Sequence, residues 1–293
     1  MMGRPEKLHE PIATNFDETL KAIADENMPD KNFTAHPFVK WVGGKRSIIN
    51  KLLSRVPEHY DSYYEPFLGG GALFFALKPE KAYLSDINFY LTITYKAVRD
   101  DVDGVIAQLK IHKRNHKLEY YRQARINLGK EQNSIKVASL FIYLNKTCYN
   151  GLYRVNKSGF YNVPMGKYTD PPIVDEDNLR ACSAFLQNTD IYQHDFQHIK
   201  PKKDQFYYLD PPYHQTFSGY DGSGFGDEEH TKLAQFCRII DRKGGYFMLS
   251  NSDTEFVREL YKGYNIEVVS TSRFISCKAN ERNKQNELII RNY

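Results

Sequence analysis

The stretch that most constrains the fold of this chain is residues 206–213, with the sequence FYYLDPPY. Its aromatic and apolar run is typical of a buried β-strand, and the run ends abruptly at Asp210. Pro211 and Pro212 have a fixed φ and no N–H to donate, so the chain leaves the strand there in a stiff turn. That turn would hold a carboxylate, two backbone carbonyls and the Tyr213 ring close together. These groups suit an amino group attached to a flat ring, although a surface turn with Tyr213 as a packing residue explains four residues equally well.

Two earlier segments indicate a site for a nucleoside. Residues 63–75 (YYEPFLGGGALFF) are typical of a strand, a glycine turn and the start of a helix, where backbone N–H groups can face a ligand. Residues 82–86 (AYLSD) predict a second strand that ends in an acid, and Asp86 stands 19 residues after Phe67. A strand-end acid at a spacing of about 20 residues is typical of ribose recognition. The pair therefore favours a nucleoside-containing cofactor over a plain βαβ unit.

Strand and helix patterns alternate again after residue 188. We predict strands at 190–194, 206–209 and 245–250, helices at 228–241 and 254–261, and final strands at 266–271 and 287–290. A Gly/Ser-rich loop is expected at 218–226, and a polar, net-basic loop between the last two strands. This order predicts an α/β fold with a mostly parallel sheet and an antiparallel terminal hairpin. Ligands of such sheets lie at the carboxyl ends of the strands, so four residues should converge there: Phe67, Asp86, Asp195 and Asp210.

The middle of the chain has a different character. Helical patterns cover 102–128 and 134–146, and Asn-Gly and Ser-Gly pairs predict a hairpin or loop at 149–164. Residues 105–168 contain twelve Lys and Arg against two acids, interleaved with tyrosines. Basic groups among stacking rings are typical of a nucleic-acid surface, the alternative being a solvated face. We therefore interpret 89–180 as an inserted recognition domain, 36–88 and 181–293 as the catalytic domain, and 1–35 as a polar extension without assignable chemistry.

Several function classes are disfavoured. The four cysteines have neither metal-ligand spacing nor a paired pattern, so we expect reduced thiols, no metal and a cytoplasmic location. No apolar run approaches the ~18 residues of a membrane span, and the acidic N-terminus does not resemble a signal peptide. Gly43-Gly44-Lys45 lacks the rest of a phosphate-binding P-loop.

From residue 36 to its end, the chain resembles the Dam-type DNA adenine-N6 methyltransferases. The segments that carry the resemblance occur in the family's order: KWVGGK (40–45), EPFLGGG (65–71), SDIN (85–88), YNGLYR (149–154), FYNVPMG (160–166) and DPPY (210–213). The resemblance implies a Rossmann-like S-adenosylmethionine methyltransferase sheet with a mainly helical DNA-recognition insert. Val42 departs from a more usual Ala, and the loop after Tyr213 is richer in glycine.

The resemblance also implies roles for individual residues. S-adenosylmethionine would be held by Trp41, Lys45, Phe67, Gly69, Gly71, Asp86, Asp195, Phe196 and Asp210. DNA would be contacted by Lys40, Tyr149, Asn150, Leu152 and Arg154, with Lys40 on the outer guanine and Arg154 on a base edge. The catalytic group would be Asp210, Pro211, Pro212 and Tyr213. The expected target is the adenine of GATC in double-stranded DNA, turned out of the duplex.

Three alternatives remain open from the residues alone. A cytosine-N4 methyltransferase uses the same amino-group chemistry but usually has Ser in place of Asp210. A protein or RNA methyltransferase more often has Asn there, and a DNA-binding module without catalysis needs no intact Phe67, Asp86 and Asp210. We expect a monomer, with a cognate restriction endonuclease as an additional candidate partner.

Overall fold

The computed structural model describes residues 35–215, 225–271 and 285–293. Over these ranges the chain forms one seven-stranded sheet in the order β3-β2-β1-β4-β5-β7-β6. The strands are β1 (Ser62–Glu65), β2 (Ala82–Asp86), β3 (Thr189–Gln193), β4 (Gln205–Leu209), β5 (Tyr246–Ser252), β6 (Asn265–Thr271) and β7 (Gln285–Arg291).

Helices fill the connections. The described residues form α1 (Ile49–Leu53), α2 (Ala72–Leu77), α3 (Phe89–Asp100), α4 (Val102–Arg114), α5 (Leu118–Leu128), α6 (Ser134–Thr147), α7 (Glu176–Leu186), α8 (Asp227–Arg242) and α9 (Glu255–Leu260). Short 3-10 turns occur at Lys45–Ile48, Tyr149–Gly151 and Phe196–His198.

Strands β1 to β5 pair in parallel with one another, and among the described strands β7 alone runs in the opposite direction. Tyr64 of β1 pairs with Tyr83 of β2 and with Tyr207 of β4. Strand β7 runs antiparallel between β5 and β6, with Leu288 opposite both Asn251 and Val268. The predicted parallel sheet with an antiparallel terminal hairpin is confirmed. The position of β7 between β5 and β6 depends on long-range pairing, which local patterns do not reveal.

Side-chain alternation along the strands builds two cores, one on each face of the sheet. Tyr63, Phe206 and Met248 belong to the core that lies under α1 to α7. Their strand neighbours Tyr64 and Tyr207 belong to the other core, under α8 and α9. Because both faces are covered, the central strands are apolar at nearly every position, as is typical of a parallel sheet.

The middle region contains the two predicted helical segments and a helix, α3, that was not predicted. Helix α3 lies outside the predicted helical segments, because its β-branched and aromatic residues give it a low helix propensity. It starts at Asn88, whose side chain accepts a hydrogen bond from the Leu91 N–H, and it packs against β2 and β3. The helical segment predicted over 102–128 consists of two helices, since α4 ends at Arg114 and α5 begins at Leu118. Helix α6 confirms the prediction for 134–146.

Three expectations fall on residues outside the described ranges: the extension 1–35 except for its last residue, most of the loop 218–226, and most of the loop between the final strands. Among the described helices, none has the length and apolar character to cross a membrane. Cys148, Cys182 and Cys237 are buried free thiols.

Candidate active site

The four residues expected to converge lie along one edge of the sheet. Asp86 is the last residue of β2, and Asp210 directly follows β4. Phe67 and Asp195 each lie two residues beyond the ends of β1 and β3. Since β3, β2, β1 and β4 are adjacent and parallel, their carboxyl ends lie together along this edge, as predicted.

The centre of this edge is an ion pair between Lys45 and Asp210. The Lys45 ammonium donates to Asp210 Oδ2 at 2.7 Å and also to the Gly43 carbonyl at 2.7 Å. The lysine side chain is 6% exposed and the aspartate side chain 20%, so the pair is screened only weakly by solvent. The same ammonium lies 4.9 Å from the centroid of the Tyr213 ring. Lys45 therefore joins the glycine turn 43–44 to the turn that follows β4.

A second acid lies below this pair. Glu65, 2% exposed, accepts a hydrogen bond from the Tyr63 hydroxyl at 2.8 Å. Burial raises the pKa of Glu65 to about 8, against the lowering effect of the Tyr63 hydrogen bond. The negative charge of Asp210 contributes to the rise, and Lys45 opposes it. At neutral pH this carboxyl is therefore mostly neutral, and the site has one ionised carboxylate beside Lys45.

The Tyr213 ring is buried, with its hydroxyl donating to Glu287 Oε2 at 2.9 Å. Glu287 lies on β7 opposite Ser252 of β5. Burial raises the pKa of Tyr213 well above its usual range, and the carboxylates of Asp210 and Glu287 reinforce the shift. The phenol is consequently a neutral donor whose ring orientation is fixed from the antiparallel side of the sheet.

The glycine turn after β1 fits a closely approaching ligand. Gly69 and Gly71 have φ of +48° and +63°, a region that side chains disfavour. A Cβ on Gly69 would lie 2.7 Å from Cδ1 of the Trp41 indole, so only glycine fits under that ring. Trp41 itself stacks on Tyr153 with a centroid distance of 5.8 Å.

Asp86 has the chemistry expected of a hydroxyl-binding acid. Its Oδ2 accepts from the Gly69 N–H at 3.1 Å and its Oδ1 from the Asn88 N–H at 2.9 Å. Each carboxylate oxygen has two lone pairs, so the group can accept further hydrogen bonds. Burial raises the pKa of Asp86 to about 6 although these backbone N–H groups oppose the rise. The carboxylate is still largely ionised at neutral pH.

The residues expected beside an adenine ring divide into two kinds. Phe196 is 1% exposed and packs 5.6 Å from Phe67, which is the more accessible ring. Asp195 Oδ1 accepts from the Gln197 N–H at 2.9 Å and caps the short 3-10 turn that follows it. Phe67 is therefore the more accessible of the two rings at this edge, and Asp195 also serves the local fold.

Lys40 lies against the turn at 149–151. A Cβ on Gly151 would lie 2.5 Å from the Lys40 Cδ, and the Lys40 ammonium lies 4.5 Å from the centroid of the Tyr168 ring. Tyr149 is 47% exposed, and Asn150 is exposed with a φ of +55°. The structure thus brings together the residues whose types suit contact with a base.

The Asn145 side chain holds Lys40 and the 149–151 turn together. Its Oδ1 accepts from the Lys40 N–H at 2.7 Å, and its Nδ2 donates to the carbonyls of Lys40 and Gly151 at 2.8 and 3.2 Å. Burial lowers the pKa of the adjacent Lys146, and the positive charges of Lys40 and Arg46 contribute to the lowering. Lys40 and Arg46 therefore lie close enough to Lys146 for their charges to interact with it.

Arg154 and Leu152 lie on the first arm of a short hairpin whose arms meet at a Val155–Tyr161 bridge. Arg154 Nε donates to Asn162 Oδ1 at 2.7 Å across the hairpin. Of the predicted hairpin or loop at 149–164, the structure forms a hairpin, and the guanidinium is held in a defined position. Pro212 is half-buried and Pro211 buried, next to Asp210.

Four site residues received no role from the sequence: Tyr63, Asn145, Tyr153 and Glu287. Tyr63 and Glu287 are buried on β1 and β7, and the available signal is a polar group within a strand. Asn145 sits on an apolar helix and carries only the weaker signal of a polar residue among apolar neighbours. The Lys45–Asp210 pair joins two predicted residues whose contact no spacing rule implies.

With this geometry in view, comparison with known proteins gives a consistent result. The family model described as D12 class N6 adenine-specific DNA methyltransferase matches residues 41–275. The type II methyltransferase M.MjaIII of Methanocaldococcus jannaschii is 39% identical over 285 residues, covering 88% of this chain and 99% of the relative. M1.LlaDCHI of Lactococcus lactis is 36% identical, covering 91% and 99%, and the DNA adenine methylase of Escherichia coli is 31% identical, covering 86% and 93%. The chain therefore belongs to the D12 class of N6 adenine-specific DNA methyltransferases.

Proposed function

We propose that this enzyme transfers the methyl group of S-adenosylmethionine to adenine N6 in GATC sites of double-stranded DNA, with the target base turned out of the duplex. The observation that carries the proposal is the Asp210 carboxylate at the carboxyl end of β4, 2.7 Å from Lys45, at the sheet edge that also holds Asp86 and the glycine turn. DNA as substrate and adenine N6 as acceptor follow from the family.

Asp210 is proposed to accept one hydrogen bond from the adenine amino group, and the Pro211 carbonyl the other. The N6 lone pair is delocalised into the ring, so two acceptors facing the amino hydrogens would localise it on nitrogen. This is a preorganised electrostatic effect, and it requires orientation more than proton transfer before the methyl group moves. Tyr213 would offer its ring to the base, and its neutral phenol held by Glu287 fixes the plane of that ring.

Several residues fit S-adenosylmethionine, whose sulfonium supplies an electrophilic methyl group. Asp86 suits the ribose hydroxyls, Gly69 and Gly71 allow close backbone approach, and Trp41 covers the glycine turn. Lys45 would pair with a carboxylate as well as with Asp210. Phe67, which packs on the buried Phe196, provides apolar surface beside Asp195 for an adenine ring.

Reading of the DNA is proposed for the surface formed by Lys40 and 149–154. Lys40 suits a guanine edge and Arg154 a second base edge, because both side chains are donors only. Tyr149 and Leu152 would support the space left by the extruded base, and the exposed Asn150 would contact its partner. Base extrusion costs a few kcal/mol, which stacking at about 1–3 kcal/mol per base offsets.

The sequence preference is tested with labelled methyl donor and duplexes that differ only at the central tetranucleotide. We expect labelling of GATC duplexes and a loss of about tenfold or more for each single-base change. Equal labelling of all duplexes would reject GATC as the target while leaving adenine methylation intact. Protection of the labelled duplex from a nuclease blocked by N6-methyladenine gives an independent readout.

The role of Asp210 is tested with Asp210→Ala and Asp210→Asn. We expect both variants to retain DNA and S-adenosylmethionine binding, and methyl transfer to fall by about 100-fold or more, since a group acting in the transition state has been removed. Asp190→Asn removes an exposed carboxylate from β3 and serves as the matched control. Normal turnover by Asp210→Ala would refute the assigned role.

A further inference from the structure

His214, the residue after Tyr213, is bound to the end of the neighbouring strand through its backbone. Its N–H donates to Asn251 Oδ1 at 3.0 Å, and its carbonyl accepts from Ser252 Oγ at 2.6 Å. Asn251 and Ser252 are the last two residues of β5. Because Pro211 and Pro212 have no N–H, the ladder between β4 and β5 cannot continue through them. The hydrogen bonds of His214 connect the chain to β5 again after the two prolines.

The His214 ring adds two further attachments. Its Nδ1 lies 2.9 Å from Thr254 Oγ1, and its Nε2 lies 3.1 Å from Asp227 Oδ1. Thr254 caps the start of α9, and Asp227 is the first residue of α8. One side chain therefore ties the turn after β4 to the beginnings of two helices.

Apolar and aromatic contacts complete the setting. The ring packs 4.7 Å from the Phe256 ring and meets His230 edge-on at a centroid distance of 5.5 Å. His214 is 8% exposed, and His230 is fully buried and receives a hydrogen bond from Asn251 Nδ2 at 3.4 Å. Burial lowers the pKa of His230 to about 4, so it is neutral at working pH and adds no charge to this cluster.

We propose that His214 is a positioning residue for methyl transfer: by bridging Asp227 and Thr254 it fixes the turn 211–213, and with it Asp210, at the edge of the sheet. The proposal rests on the role of Asp210 given above. His214 acts through the turn and not on the substrate. A displacement of about 1 Å at a reacting group can cost about 100-fold in rate, so a fixed turn has catalytic value.

A buried histidine with satisfied nitrogens can also be purely structural, and the two ring contacts separate these roles. His214→Gln places an amide near the Nε2 position and can keep the bond to Asp227. His214→Asn places an amide near the Nδ1 position and can keep the bond to Thr254. His214→Ala removes both, and Asp227→Ala removes one while leaving the histidine in place. His59→Ala and Glu228→Ala are controls that change an exposed histidine and an exposed acid.

The experiment measures single-turnover transfer of a labelled methyl group to unmethylated genomic DNA, so it does not depend on the GATC preference. Thermal unfolding and the Kd values for S-adenosylmethionine and for DNA are measured on the same variants. We expect His214→Ala to slow transfer by about 10- to 100-fold with both Kd values within about threefold of the parent. Asp227→Ala should have a smaller effect, and His214→Gln should recover part of the rate only when Asp227 is present. The control variants should match the parent.

The outcomes are distinguishable. A normal rate for His214→Ala, with Asp210→Ala inactive, overturns the inference and leaves the proposed function standing. Full activity of Asp210→Ala overturns the proposed role of that residue itself. If His214→Ala does not fold, an unchanged rate for Asp227→Ala overturns the proposal, and a slowed rate that Glu228→Ala does not share supports it. Parallel losses of stability, binding and rate in the folded variants overturn positioning in favour of a structural role.

Discussion

At the scale of single residues, the site contains two neighbouring acids, and one of them is neutral because it keeps its proton. Glu65 lies close enough to Asp210 for the two to repel, and ionising both in a buried environment would be costly. The raised pKa of Glu65 resolves this, because the proton stays on the residue that is deeper in the protein. The carboxylate beside Lys45 is then free to remain ionised.

This arrangement predicts that the free energy of unfolding changes with pH, and Glu65→Gln should reduce that pH dependence. The folded pKa is about 8 and the ordinary value is 4.5, so between these values the folded protein holds a proton that the unfolded chain has released. The stability that depends on Glu65 is complete below pH 4.5 and is lost as the pH rises toward 8, by at most about 1.4 kcal/mol per unit.

The measurement is the difference in unfolding free energy between parent and Glu65→Gln from pH 5 to 9. Other titrating groups cancel in this difference, so its slope reports on Glu65 alone. The variant should gain relative stability as the pH rises. A difference that is flat with pH would contradict the raised pKa, whatever the absolute stability of the variant.

The glycine turn gives a second prediction with a control in the same turn. In Gly69→Ala a methyl group meets the Trp41 ring in a strained backbone region, which should weaken S-adenosylmethionine binding by about tenfold or more and cost about 1–3 kcal/mol of stability. In Gly70→Ala the added Cβ meets Trp41 Cβ at 3.6 Å, an ordinary contact. Titration calorimetry on both variants checks this, and equal affinities would remove the argument that Gly69 is required by close approach.

At the scale of elements, Asn145 predicts that helix α6 supports the segment around Lys40 and the 149–151 turn together. Asn145→Ala leaves two backbone carbonyls and one N–H without their present partner, which at about 1–3 kcal/mol for each group makes a loss of more than 2 kcal/mol expected. DNA binding should weaken as well, because Lys40 and Gly151 move. Denaturant unfolding and a DNA-binding titration test this, with the exposed Asn115→Ala as control. A loss of stability without any loss of DNA affinity would show that the hydrogen bonds of Asn145 stabilise the fold but do not support DNA recognition.

The elements also show which features of the structure local sequence patterns can predict. Asp86 and Asp210 could be placed at strand ends because each acid directly follows an apolar run, and the parallel pairing then puts them on one edge. Helix α3 was missed because packing against β2 and β3 overrides its weak propensity. The Tyr213–Glu287 bond depends on the insertion of β7 beside β5, which is a long-range property. Local patterns therefore identify the residues at the site better than they identify the residues that those side chains contact.

At the scale of the whole molecule, charge is distributed unevenly along the chain. The net charge of the chain is only +4, but residues 105–168 include twelve basic and two acidic residues. One of the twelve, Lys110, pairs with Glu176 at 2.7 Å, outside the segment, whereas Lys157 and Lys167 are exposed near the hairpin. A surface of this kind attracts DNA phosphates without regard to sequence and releases counterions on binding.

The last prediction concerns the salt dependence of that binding. If Lys157 and Lys167 contact phosphates, the double variant Lys157→Ala/Lys167→Ala should weaken binding to all duplexes alike and reduce the slope of log K against log salt by about 2. Lys232→Ala/Lys262→Ala removes the same charge from α8 and the segment after α9, where the lysines pair with Glu228 and Glu259. Fluorescence anisotropy across a range of salt concentrations measures both variants. A slope reduced equally by the two double variants would show that net charge, and not the location of the basic segment, determines DNA affinity.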